Sequence, residues 1–193
     1  ILIIGVNALV VAFSIINGGM DLSSGSVVAF VGVFVASLSQ TELTAGQPVG
    51  AVIPLILSIP LALLLGTLLG TVNGVLTAYA KIPPFIATLG MMTMARGAAL
   101  LYSAGRPLGN LKDSFTYIGA GSFIGIPVPI WIYFAMAVIS HILLSRAKFG
   151  RYVFAIGGNT QAARISGINV EKNLVKVYAY AGFLSAVSAI ILV

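Results

Sequence analysis

Only 7% of the 193 residues are charged while 59% are hydrophobic, against about 25% charged in an ordinary soluble domain, so this chain needs lipid as its solvent. The net charge of +6 does not indicate nucleic acid, whose partners gather basic residues on one folded face; here they stand at the ends of apolar runs, where membrane topology explains them. The absence of cysteine excludes disulfides and thiolate metal sites.

Residues 1–17 are almost wholly apolar, with Asn7, Ser14 and Asn17 as polar exceptions. Gly18-Gly19-Met20-Asp21-Leu22-Ser23 follows, then a second apolar run from Val27 to Leu38. The glycines break the helix, and Asp21 or Ser23 can cap the next one. Two placements stay open. A turn at the cytoplasmic surface accepts Asp21 readily, whereas a break within the membrane must lie against protein or a wet path and makes Asp21 a pathway candidate.

Residues 40–50 are polar, with Glu42 and no basic residue, as suits an outer loop. Residues 51–80 would be about 45 Å long as a helix, more than the roughly 30 Å hydrocarbon core, so Pro54 and Pro60 mark a kink, a tilt or an interfacial first turn. Gly66, Gly70 and Gly74 repeat every four residues and predict close helix packing, with Asn73 free to bond across the contact. Lys81 ends this helix, and Pro83-Pro84 opens the next, from Phe85 to about Tyr102. The clustered Met91, Met92 and Met94 read as adaptable core. Arg96 lies some 17 Å beyond Pro84, so it must snorkel, pair or face water. A structural ion pair and a substrate contact are both open. Thr88 and Arg96 join Asp21 and Asn73 as candidate pathway residues.

Pro127-Val128-Pro129 opens another span, with Trp131 and Tyr133 at the interface. It ends near His141 and Leu144, where a lone histidine reads as a dipole or interfacial residue. Ser145 to Lys176 then holds six of the ten basic residues: Arg146, Lys148, Arg151, Arg164, Lys172 and Lys176. Such a segment between spans marks a cytoplasmic loop, residues 146–176. Within it Asn159 can cap a short helix and Gly167 can end it. The intervening TQAARIS, about two turns, is too short to be stable alone and needs a surface to dock on, a partner protein or the lipid surface. Val177 to Val193 begins a further span. The chain starts and stops within apolar runs, without an initial methionine, and is expected to be a fragment.

Three segments carry a family resemblance: NGGMDLSSGSVVAF, KIPPFIATLGMMTMARGAALLYSAGRPL and FGRYVFAIGGNTQAARISGINVEKN. In this order they resemble ABC-transporter permeases of the ribose and related sugar import family. The resemblance implies an all-α, polytopic transmembrane bundle, with about six spans or part-spans in residues 1–193, as a single permease domain in the bacterial cytoplasmic (inner) membrane. An N-terminal span and a sizeable C-terminal part would be missing. The loop would carry the coupling helix that sits in a cleft of a cytoplasmic ATP-binding subunit. Ala162 and Ala163 would form its small docking face, flanked by Gly157, Gly158, Asn159, Arg164 and Gly167. The other implied partners are a second permease subunit, identical or different, and an extracytoplasmic sugar-binding protein; residues 103–127 would face outward. Counting spans from the loop puts Lys81 and the Asp21 break inside and the Glu42 loop outside.

The residues show no phosphate loop, carboxylate pair or histidine cluster, so an enzyme and a bound cofactor are not expected. A secondary transporter or channel working without an ATPase is the alternative; it calls for internal repeats and mid-span charges, of which Asp21 is the acid candidate.

Overall fold

A computed structural model describes residues 2–40 and 53–193; the Glu42 loop lies outside them. The described chain forms α1 (Leu2–Ile16), α2 (Ser24–Leu38), α3 (Leu55–Ala78), α4 (Pro84–Ser103), α5 (Asp113–Ala120), a two-residue hairpin β1 (Ser122–Phe123) and β2 (Ile126–Pro127), then α6 (Val128–Ser145), α7 (Lys148–Gly158), α8 (Thr160–Ile165) and α9 (Val170–Leu192). Among the described residues α3, α4, α6 and α9 are long and apolar enough to cross a membrane. With 15 residues each, α1 and α2 reach only about 22 Å and are the part-spans. The polytopic all-α bundle is therefore present, with one small hairpin added.

Helix α9 is the centre, because small residues let α3 lie directly on it. A Cβ on Gly66 would stand 2.6 Å from the Gly182 carbonyl oxygen and 2.7 Å from the Ala186 Cβ, and one on Gly74 would stand 2.7 Å from the Val175 Cα. Gly70 and Gly182 likewise face main chain of the opposite helix, Tyr178 and Gly66 respectively. The four-residue glycine period thus brings two backbones together, as apolar helices in lipid require. Around this pair, Val27, Val31 and Val35 of α2 meet Met91 and Ala95 of α4 and Ala186 and Ala189 of α9. On the other side Val6 and Val10 of α1 pack on Leu184 and Val187. Pro54 sits just before α3, and Pro60 is inside it.

The connections sort into two poles. At one, Gln40 bridges Leu111, Lys112 Nζ donates to the Ile53 carbonyl at 2.9 Å, and α5 and the hairpin cover the helix ends. At the other lie the Asn17–Ser23 break, Lys81 and the basic segment. That segment differs from the expected loop. Lys148–Gly158 is a helix because Gly150, Val153 and Ile156 recur on one face and are buried, Val153 against Phe13 and Val177. Helix α9 also starts early, at Val170, because Asn169 accepts from the Lys172 N–H at 2.9 Å. Lys172 and Lys176 are thus helical.

Candidate docking loop and helix break

The break is a built turn. Helix α1 ends with Gly18 at φ 75°; the Gly18 N–H donates to the Ile15 carbonyl and the Gly19 N–H to the Ser14 carbonyl, both at 2.9 Å, the paired bonds of a Schellman stop. Asp21 Oδ1 then accepts from the Ser23 N–H at 2.9 Å and from the Ser23 hydroxyl at 2.7 Å. Asn73 Nδ2 of α3 donates to Ser23 Oγ at 3.0 Å, and Thr88 Oγ1 of α4 lies 3.2 Å from the Met20 carbonyl. Three of the four pathway candidates, Asp21, Asn73 and Thr88, are thus gathered on one turn.

Their surroundings refine both sequence readings of the break. Asn73 lies about 7.5 Å in from the end of α3, and Thr88 about 6 Å in from the start of α4, so the turn is recessed between the two helices. Asn73 and Thr88 are buried, 1% and 0% exposed, and they hold the turn. Arg96 does not join them. It stands two turns further along α4 on the exposed face, and no ion pair holds it among the described residues. The groove between α3, α6 and α9, about 310 Å³, is lined by apolar side chains such as Leu63, Ile132 and Phe183 and offers nothing to a hydroxylated ligand.

The short helix is locked at every point. Asn159 Oδ1 accepts from the Ala162 N–H at 2.9 Å, capping α8. Gly167 takes φ 81°, its N–H donates to the Arg164 carbonyl at 3.0 Å, and the Ile168 N–H donates to the Ala163 carbonyl at 3.1 Å. Arg164 pairs with Glu171 of α9. The expected cap and stop are both in place.

The expected docking face needs correction. Ala163 is 4% exposed and packs with Ile156, Ile168, Val170 and Leu174, because its backing helices need a small residue there; it cannot meet a partner. Ala162 remains exposed. The outward face is instead Thr160, Gln161, Arg164 and Ile165, around a shallow depression of about 440 Å³, with Ile165 88% exposed. The seven-residue spacing Ile156–Ala163–Val170 was the sequence signal for the inward turn.

Gly157 is exposed but its Cβ direction points at α1. A Cβ there would fall on the Ile16 carbonyl, with the Asn17 Cα 3.3 Å away, whereas one on neighbouring Gly158 meets nothing within 4 Å. Main chain at the end of α7 therefore rests on main chain at the end of α1, at the mouth of the break. The docking segment and the break form one contiguous unit.

Comparison with known proteins shows the family. The profile of the family described as "Branched-chain amino acid transport system / permease component" matches residues 1–193. The chain is 43% identical over 193 residues to the ribose import permease protein RbsC of Haemophilus influenzae, covering 96% of this chain and 57% of that protein. It is 44% identical over 190 residues to RbsC of Bacillus subtilis, covering 97% and 56%. To the L-arabinose transport system permease protein AraH of Escherichia coli it is 37% identical over 180 residues, covering 93% and 52%. The chain spans about half the length of these curated relatives. No solved structure matches it significantly.

Proposed function

This chain belongs to the branched-chain amino acid transport system / permease component family, and from that premise we propose that it is part of the membrane-spanning permease of an ATP-driven importer for ribose or a related monosaccharide. The sugar class rests on its relatives, which are ribose and L-arabinose permeases. It is a transport component of the bacterial inner membrane and not itself the ATPase. A cytoplasmic ATP-binding subunit docks on residues 146–176, a second permease subunit completes the path, and an extracytoplasmic binding protein delivers the sugar.

The observation that carries the mechanism is the contact of Gly157 with Ile16. Helix α8 presents Ile165 outward while its cap, its glycine stop and the Arg164–Glu171 pair tie it to α7 and α9. A push on that face reaches the break through α7 as a rigid body. The break in turn holds α3 through Asn73 and Ser23, and α4 through Thr88 and Met20. Nucleotide-dependent states of the partner that hold α8 in different positions would tilt these helices and alternate access. In this reading Arg96, a cation on an outward face within a span, would line the wet path between two permease subunits, because a lipid-facing charge at that depth is costly.

The test is reconstitution of the full-length permease in proteoliposomes loaded with ATP, with the ATP-binding subunit inside and the binding protein outside. Uptake of labelled ribose or arabinose that requires ATP hydrolysis is expected. Uptake that ignores ATP and follows an ion gradient would establish the secondary transporter instead.

A further inference from the structure

The break has a second feature, whose sidedness and mechanical role rest on the transport reading. Three polar atoms near it, Asn17 Oδ1 and Nδ2 and Asn73 Oδ1, are buried without a hydrogen-bond partner, and the buried Thr77 and Tyr178 hydroxyls lie beside each other. Asn17, Asn73 and Tyr178 are themselves 7%, 1% and 1% exposed. They come from three elements that the fold brings together. Asn73 and Thr77 share one face of α3 a single turn apart. Gly19 leaves room for the phenol of Tyr178, since a Cβ there would stand 2.7 Å from its oxygen. That oxygen also lies beside Thr77 and within electrostatic reach of Asp21. Asn17 belongs to the same turn and lies under Gly157.

In lipid such groups must find partners inside the protein. Two amides, a hydroxyl and a phenol each donate and accept, and none carries a charge. This is the chemistry that holds water, which needs two to four polar partners. An oxygen-seeking cation would leave the Asn17 amide donor idle. We propose that the Asn17–Ser23 break, α3 and α9 enclose a site for bound water at the cytoplasmic pole. Thr77 is one residue from the end of α3, so the water exchanges with the cytosol around that end. Its role is mechanical. A turn bonded through water can change its bonding as α7 moves, whereas side chains bonded directly to one another would resist.

Cysteine accessibility tests this, because the stretch has no cysteine. In the full-length permease, with any other cysteine replaced by serine, Asn17→Cys, Thr77→Cys and Ala181→Cys are treated with 2-aminoethyl methanethiosulfonate on inside-out vesicles. Ala181 is 1% exposed in apolar surroundings one turn beyond Tyr178. Water at the break makes Asn17→Cys and Thr77→Cys react more than about tenfold faster than Ala181→Cys, which waits on local opening. Equal, slow reaction at all three overturns the proposal. A cryo-EM map of the unmutated permease that resolves ordered solvent gives a second reading, free of any folding defect. Density within hydrogen-bond distance of Tyr178 and Thr77 is expected. Side-chain bonds that satisfy the Asn17 and Asn73 amides directly, or the short oxygen-only coordination of a metal ion, would overturn it.

Discussion

Gly157 and Gly158 stand side by side at the end of α7, yet a methyl group added to each meets different surroundings. At Gly158 it enters open space, so Gly158→Ala exchanges a flexible residue for a helix former, a gain of about 0.5–1 kcal/mol. Gly157→Ala has the same backbone benefit but drives its methyl into the Ile16 carbonyl. Main chain cannot rotate aside as a side chain can, and overpacking of this kind costs about 1–3 kcal/mol. Lifting α7 to relieve the overlap would also part Val153 from Phe13. The two variants should therefore differ by about 1–3 kcal/mol, with a midpoint shift of about 2–4 °C for each kcal/mol in a chain of this size. Scanning fluorimetry of the detergent-solubilised permease measures the difference, with Gly157→Ala the lower. Uptake should follow the same order, Gly157→Ala losing ATP-dependent transport while it still retains the ATPase subunit. Equal midpoints and equal uptake would refute the contact between the docking segment and the break.

Replacing Ala163 by Trp should destabilise the loop by about 1–3 kcal/mol through overpacking, whereas Ile165→Ser should leave the thermal midpoint unchanged and weaken pull-down of the ATPase subunit by about tenfold or more, as loss of an exposed apolar anchor does. Asp21→Asn keeps an acceptor for the Ser23 N–H and should be nearly neutral, while Asp21→Leu should cost about 1 kcal/mol, read as the difference in thermal midpoint. Uptake by the Asn variant separates the carboxylate's charge from its hydrogen bonds to Ser23, the N-cap of α2, which itself has no side-chain cap bond. Gly70→Leu should separate α3 from α9 and abolish the monodisperse peak in size-exclusion chromatography; Gly25→Ala, where a Cβ meets nothing within 4 Å, should keep it. Arg164→Ala removes an exposed ion pair and should change stability by less than about 1 kcal/mol.

What the sequence made legible is what short range decides. Asn159 three residues before an N–H it caps, Gly167 at the αL stop, Gly18-Gly19 before Asp21 and the four-residue glycine period of α3 each act through neighbours in the chain or along one helix, and each is found where expected. The facing of Ala163 and Gly157 was misread because it depends on what lies behind them. Ala163 looks like a small docking residue until α7 and α9 supply Ile156 and Val170 as its backing, and Gly157 looks like room for a partner's approach until α1 ends against it. Tyr178 gave no signal at all; one phenol in an apolar run reads as core, and only its position over Gly19 reveals a polar neighbourhood. The misses at Ala163 and Gly157 share a direction, since both positions, thought to serve an outside partner, make contacts within the fold. Two segments that resemble the family separately, NGGMDLSSGSVVAF and FGRYVFAIGGNTQAARISGINVEKN, are therefore halves of one contact. The second needs glycine at position 157 because the Ile16 carbonyl, just before the first, lies where its Cβ would stand, and in the proposed mechanism that fit between two backbones carries a cytoplasmic stroke into the membrane.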